Sequence, residues 1–312
     1  MNSEYDKYKS LAGALPIDYS LFTLHLPMTV DEARKKIVES INATYYRDEA
    51  KNIAELLLEH VTNLPLIERI IKKSDSLSAK QEELLLESIR RLQNHEPIQY
   101  IINECWFAGM RFYVDNNVLI PRPETEELVE WVTKEVENKK PYARILDIGT
   151  GSGCIAIALK TKLPEIEMWA CDVSDEALNV ARVNADALYT AIDFVPLNFL
   201  DPDQRKQLPH VDAIVSNPPY VPEEDKGEMK KNVIEYEPSI ALFVTNDDPL
   251  IFFNSIADFG KENLHESGSI YVEIHEHLGG KVESLFRTKG YDSIEVRKDL
   301  QGKERMIRAS RY

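Results

Sequence analysis

The sequence predicts an α/β protein in which a mostly parallel sheet, with helices between its strands, follows a small helical bundle. Three observations carry that expectation. Apolar residues recur at helical spacing through residues 30–93. From residue 144 onward, short apolar and β-branched runs alternate with helical stretches. The run ILDIGTGSGCIAI at 145–157 reads as strand, glycine loop and helix, the turn at which such sheets hold nucleotides.

Residues 1–27 show little pattern and are read as an extension. In the bundle, residues 28–95, Val30, Ala33, Ile37 and Ile41 share one helix face. Ala50, Ile53, Ala54, Leu57, Leu58 and Val61 form a second face, and Leu84, Leu85, Ile89 and Leu92 a third. Turn-like composition at 63–65 and 73–78 separates the helices. The pattern then turns β-rich, with strands expected at 100–102, 105–108 and 111–114 and a turn at Gly109, so that 96–120 reads as a hairpin linker. A helix is expected from Pro123 to about Glu137, because Glu124, Glu126 and Glu127 suit the positive end of its dipole. Strands at 144–147, 167–171, 192–195, 211–215, 269–274 and 293–296 complete a second domain, 121–312.

Composition excludes several classes of function. At 312 residues the chain suits two domains. No apolar run approaches the roughly eighteen residues that span a bilayer, and residues 1–9 are too charged for a secretory core, so a cytoplasmic protein is expected. Cys105, Cys154 and Cys171 are odd in number and lack C-x-x-C spacing, which points to reduced thiols. His275 and His277 would share one face of a strand, yet no third ligand has convincing spacing, and no metal is expected. The net charge of −16 argues against gripping nucleic acid through many phosphates, although residues 281–312 are locally basic.

The glycine loop is Gly149, Thr150, Gly151, Ser152 and Gly153. It lacks the Lys-Ser or Lys-Thr of a triphosphate cradle, and its G-x-G-x-G spacing is not the dinucleotide pattern. Asp172, about twenty residues on at the end of the next strand, is placed to accept from both hydroxyls of a ribose. An adenosine-containing cofactor follows. S-adenosylmethionine fits better than a nicotinamide dinucleotide.

Asn217, Pro218, Pro219 and Tyr220 follow the strand at 211–215. They combine an amide, carbonyls aimed by proline rings and an aromatic face. That set suits a flat, conjugated NH2 group. It does not distinguish a glutamine amide from the amino group of adenine or cytosine, and a non-catalytic scaffold retaining the cofactor fold is a further alternative. Arg122 and Glu124 are candidates for a direct role, or Pro121 and Pro123 simply stiffen the helix start.

DIGTGSG at 147–153 with NPPY at 217–220 resembles a class I S-adenosylmethionine-dependent amino methyltransferase. HEPIQYI at 95–101, LIPRPETEELVE at 119–130, YEPSIAL at 236–242 and the closing GKERMIRASRY resemble the peptide chain release factor glutamine methyltransferases. The similarity runs from about Met28 to Tyr312. It implies a seven-stranded Rossmann-like methyltransferase sheet, a helical domain that docks class-1 release factors, and transfer from S-adenosylmethionine to N5 of the glutamine in their Gly-Gly-Gln motif. Carried over, Gly149, Thr150, Gly151, Ser152 and Gly153 would line the methionine end of the cofactor and Asp172 would hold the ribose. Phe199 would lie beside the adenine, and Asn217, Pro218, Pro219 and Tyr220 would hold the glutamine. The chain departs from the family at Asn198, where an acid usually accepts from the adenine amino group; the Asn carbonyl can accept the same bond without charge assistance. A monomer without stable nucleic-acid binding is expected.

Overall fold

The computed structural model describes residues 27–137 and 142–311. The chain divides into two compact units, one ending at Ile89 and the other comprising Arg90–Tyr312. The expected extension, apart from its last residue, lies outside the described residues.

In the first unit, α1 (Val30–Ile41) starts at a capping box, in which Thr29 and Glu32 each satisfy the other's backbone N–H. Helix α2 (Arg47–Thr62) ends at Asn63 in the left-handed conformation. A short α3 (Leu66–Ile71) follows, and α4 (Ala79–Gln93) runs through the boundary between the units. The first two predicted faces are buried throughout. Of the third, Leu84 is 40% exposed while Leu85 is buried, since consecutive leucines lie about 100° apart on a helix and cannot all face inward. Buried Arg69 ties α3 to α2 through Glu55 at 3.0 Å and Glu59 at 3.2 Å.

The second unit opens with α5 (Ile98–Ile102), where the sequence suggests a strand from residue 100. Pro97 starts this single turn, and Asn103, left-handed, closes it. Burial of Ile98, Tyr100 and Ile101 on one face overrides their β-propensity. The hairpin β1 (Cys105–Phe107) and β2 (Met110–Phe112) turns at Ala108 and Gly109, both with positive φ. Then come α6 (Pro123–Glu137), β3 (Arg144–Ile148), α7 (Cys154–Lys162), β4 (Glu167–Asp172), α8 (Asp175–Ala187), β5 (Asp193–Pro196) and β6 (Val211–Ser216). The chain continues through β7 (Val221–Pro222), α9 (Lys231–Tyr236), β8 (Phe243–Val244), α10 (Ile251–Asn263), β9 (Leu264–Glu273), α11 (Gly279–Thr288), β10 (Ser293–Lys298) and β11 (Glu304–Ser310).

Seven strands form one sheet in the order β10-β11-β9-β6-β3-β4-β5. All neighbours from β9 to β5 are parallel, and β11 is antiparallel to both β9 and β10. This is the mostly parallel, Rossmann-like sheet that the sequence predicts. Strand β11 has no counterpart among the six strands that the sequence pattern predicts, because five charged residues within and beside it, Lys303, Glu304, Arg305, Arg308 and Arg311, mask its alternation. Trp131, Ile155 and Leu159 pack one face of the sheet together with Phe107 and Phe112 of the hairpin. Phe253, Ile256 and Phe286 pack the other.

Strand β3 lies between β4 and β6, so the chain leaves β3 in one direction and later returns to its other side. A crevice opens at the carboxyl ends of strands where the order reverses in this way. Register places Ile148 beside both Cys171 and Ser216. The glycine loop, Asp172 and Asn217 therefore emerge side by side.

Candidate active site

Gly149, Gly151 and Gly153 all have positive φ, which side chains with a Cβ adopt only under strain. A Cβ on Gly149 or Gly151 would meet no atom within 4 Å, so both glycines face open space. Gly153 differs. Its Cβ would come within 3.1 Å of Ala181 and Ile157, so that glycine allows α7 and α8 to pack.

The loop is pinned by its neighbours. Gly149 and Thr150 donate their N–H groups to the Cys171 carbonyl at 2.9 and 3.0 Å, and Gly151 N–H donates to Asp172 Oδ2 at 2.9 Å. Asp172 Oδ1 accepts from Ser174 N at 3.0 Å. Burial raises the Asp172 carboxyl, opposed by these N–H donors. Each oxygen retains a lone pair for a further donor. Beneath the loop, the Thr150 hydroxyl donates to Asp147 Oδ2 at 2.7 Å, and burial pushes Asp147 up to about 7.

A cavity of about 390 Å³ lies over the strand ends. Gly149, Gly151, Asp172, Asn198, Phe199, Asn217, Pro218 and Pro219 line it. Thr150, Ser152, Gly153 and Tyr220 do not belong to this lining. The first three build the loop from behind, with Ser152 offering its carbonyl to Asn184 Nδ2 at 2.9 Å. Asn198 is exposed, and its Oδ1 accepts from Leu200 N at 3.0 Å while one lone pair stays available. Phe199 stacks edge-on against Phe259 at 5.4 Å, beneath the Arg205 guanidinium at 5.3 Å.

Behind the clamp lies a set of residues that composition and spacing did not single out. Asn217 Nδ2 donates to Thr125 Oγ1 at 3.2 Å, and Thr125 Oγ1 donates to Glu273 Oε2 at 2.6 Å. The Tyr220 hydroxyl donates to Glu273 Oε1 at 3.3 Å. Glu273 is buried at the end of β9, and burial pushes its carboxyl up to about 7 against the pull of Thr125 and Arg305. Burial, together with the Glu273 charge, raises the Tyr220 phenol and keeps it protonated. The only sequence signal for Glu273 is its place as the one acid within the apolar strand expected at 269–274.

Arg122 meets both oxygens of Glu237 at 2.6 and 2.8 Å, and Glu237 also accepts from Ile120 N at 3.3 Å. This pair joins the IPRPETE and YEPSIAL segments. The latter contributes Pro238, Ile240 and Ala241 to the cavity wall. His275 and His277 follow β9 in a turn and do not lie on the strand, because β9 ends at Glu273. Burial lowers the His275 pKa. Among the described residues, no group of three His, Cys, Asp or Glu side chains could hold a metal ion.

A glycine loop, an acid at the end of the next strand and an Asn-Pro-Pro-Tyr segment meeting at the reversal point of this sheet define a methyltransferase. Residues 125–238 match the family described as "Methyltransferase small domain", and residues 32–102 match "PrmC N-terminal domain". The release factor glutamine methyltransferase of Flavobacterium psychrophilum is 39% identical over 91% of this chain and 99% of its own length. That of Bacteroides thetaiotaomicron is 40% identical over 88% of this chain and 98% of its own. The chain belongs to the release factor glutamine methyltransferase family. At the level of fold alone, it resembles the hMettl16 catalytic domain, solved with the MAT2A 3'UTR hairpin 6, with a TM-score of 0.53 and 17% identity over 74% of this chain and 82% of that one.

Proposed function

We propose that this protein transfers a methyl group from S-adenosylmethionine to N5 of the glutamine in the Gly-Gly-Gln motif of class-1 peptide chain release factors. The observation that carries this reading is the position of Asn217 and Pro218, which line the same cavity as Gly149, Gly151 and Asp172. The open space at Gly149 and Gly151 fits close approach by the methionine end of the cofactor, and the lone pairs of Asp172 fit its ribose. Phe199 and Asn198 would border the adenine. Bound there, S-adenosylmethionine supplies an electrophilic methyl carbon.

The protein's own part is orientation. An amide nitrogen is a weak nucleophile because its lone pair is delocalised into the carbonyl. In this reading, Asn217 Oδ1 and the Pro218 carbonyl each accept one hydrogen of the glutamine NH2. Their dipoles then face the positive charge that develops on nitrogen during attack. Holding the amide in line supplies much of the rate, because reacting atoms about 3–3.5 Å apart need little further reorganisation. Tyr220, anchored by its hydroxyl, flanks the flat amide. The methylated nitrogen afterwards loses a proton to solvent. No side-chain nucleophile is required. We assign the reaction to a monomer in the cytoplasm; among the described residues no helix is long and apolar enough to cross a membrane.

The test offers radiolabelled S-adenosylmethionine with a class-1 release factor, with the same factor carrying Ala in place of the Gly-Gly-Gln glutamine, and with duplex DNA. Label on the unaltered factor alone is expected. Label on DNA, or on the Ala variant at an equal rate, would overturn the reading.

A further inference from the structure

Glu273 is a buried carboxyl to which the mechanism above assigns no task. It ends β9, beside β6, and so lies directly behind the residues that follow Ser216. Its two oxygens serve the two ends of the clamp, Oε2 through Thr125 and Oε1 through Tyr220. The Thr125 hydroxyl carries one hydrogen, which it gives to Glu273 at 2.6 Å. Thr125 can therefore meet Asn217 only as an acceptor, and a side-chain amide meets an acceptor with its nitrogen. With Nδ2 turned to Thr125 at 3.2 Å, Oδ1 faces the other way.

We propose that Glu273 is a positioning residue for the transfer: through Thr125 it selects the amide orientation of Asn217 that presents an acceptor to the substrate NH2, and directly it anchors Tyr220. The inference rests on the reading under Proposed function. Its logic is one of polarity. An ionised carboxylate can only accept, so both hydroxyls point inward to it. A protonated Glu273 donates instead, which frees the Thr125 hydrogen for Asn217 Oδ1 and turns Nδ2 toward the substrate, setting donor against donor. The charged and titratable groups facing Glu273 are Arg305 on β11, Tyr220 after β6 and Glu124 on α6. Arg305 favours the ionised form and Glu124 the neutral one. Because burial holds the carboxyl near 7, turnover is expected to rise between about pH 6 and pH 8 as Glu273 ionises.

The experiment uses the full chain, a class-1 release factor and labelled S-adenosylmethionine, with single-turnover rates and calorimetric titration of S-adenosylhomocysteine. Glu273→Leu removes the acceptor and should lower the rate on the order of 10²-fold, the scale of a misaligned reacting group. Thr125→Val should lose about 10-fold or more by the same misalignment, and Thr125→Ser, which restores the hydroxyl, should recover most of that. Glu273→Gln can still accept from Thr125 but cannot ionise. It should lose the rise between pH 6 and 8 while retaining an intermediate rate. Affinity for S-adenosylhomocysteine should stay within about threefold throughout, because none of these groups lines the cofactor side of the cavity. A wild-type rate in Glu273→Leu or Thr125→Val, a Thr125→Ser as slow as Thr125→Val, or a fall in affinity parallel to the fall in rate would overturn the inference. If Glu273→Leu does not fold, the Thr125 pair decides alone. Failure of the wild type to label the glutamine would instead overturn the proposed function.

Discussion

The glycine loop and the Asn-Pro-Pro-Tyr clamp share one cavity but are held in place by different means. Backbone bonds from the loop to Cys171 and to Asp172, both on the adjoining strand, hold the loop. Side chains far away in the chain hold the clamp. Thr125 is 92 residues from Asn217, and Glu273 is 53 residues from Tyr220. The loop is thus a property of one strand, one turn and the next strand, whereas the clamp depends on α6, β6 and β9 arriving together. Changes in the loop should therefore affect cofactor binding, and changes in the clamp should affect turnover.

Asn217→Ala gives the sharpest break in this comparison. Turnover should fall by roughly 10²- to 10³-fold, the scale on which loss of one preorganised polar partner is felt. S-adenosylhomocysteine affinity, read by calorimetry, should survive within a few-fold. Asp172→Ala is the mirror case. It removes the proposed ribose acceptor and the partner of Gly151 N and Ser174 N, so the dissociation constant should rise by about 10²-fold, with the single-turnover rate at saturating cofactor much less affected. If turnover and affinity fell together in both variants, the division between the two halves would be wrong.

Two smaller effects sharpen the comparison. Arg122→Ala leaves the Glu237 carboxyl, whose side chain is 1% exposed, without its charged partner. Arg122 itself is about a third exposed, so urea unfolding should show a loss of about 2 kcal/mol, below the range for a fully buried pair. Cofactor affinity should fall a few-fold, because Glu237 adjoins the cavity wall at Pro238. The smallest change is Asn198→Asp. A charge-assisted acceptor in place of a neutral one should tighten cofactor binding by a few-fold; an unchanged dissociation constant would remove Asn198 from adenine recognition.

Legibility followed the range of the interactions. The glycine loop could be read because positive φ demands glycine locally, and the alternation of β3, α7, β4 and α8 because burial imposes its period on neighbouring residues. A run of leucines does not say which one faces inward, and Leu84 is exposed where its spacing predicts burial. Residues 100–102 read as strand although they belong to the turn Ile98–Ile102, because β-branched and aromatic residues prefer strands until a particular packing makes one face of a helix more favourable. The alternation of EIHEH would put His275 and His277 on one face of a strand, but nothing local marks Glu273 as the last residue of β9. Tyr220 can be read as a neighbour of the clamp, but nothing local names Glu273 as the partner of its hydroxyl.

By itself, the sequence determined six strands of the sheet, the glycine loop and the residue types of the clamp, because backbone sterics and hydrophobic period act over a few residues. The tertiary structure alone decided which carboxyls are buried behind that chemistry. Thr125, Glu273 and the Arg122–Glu237 pair acquire their roles only when strands distant in sequence are brought into register, and at burial a carboxyl changes from a solvated charge into a group whose every bond has a direction.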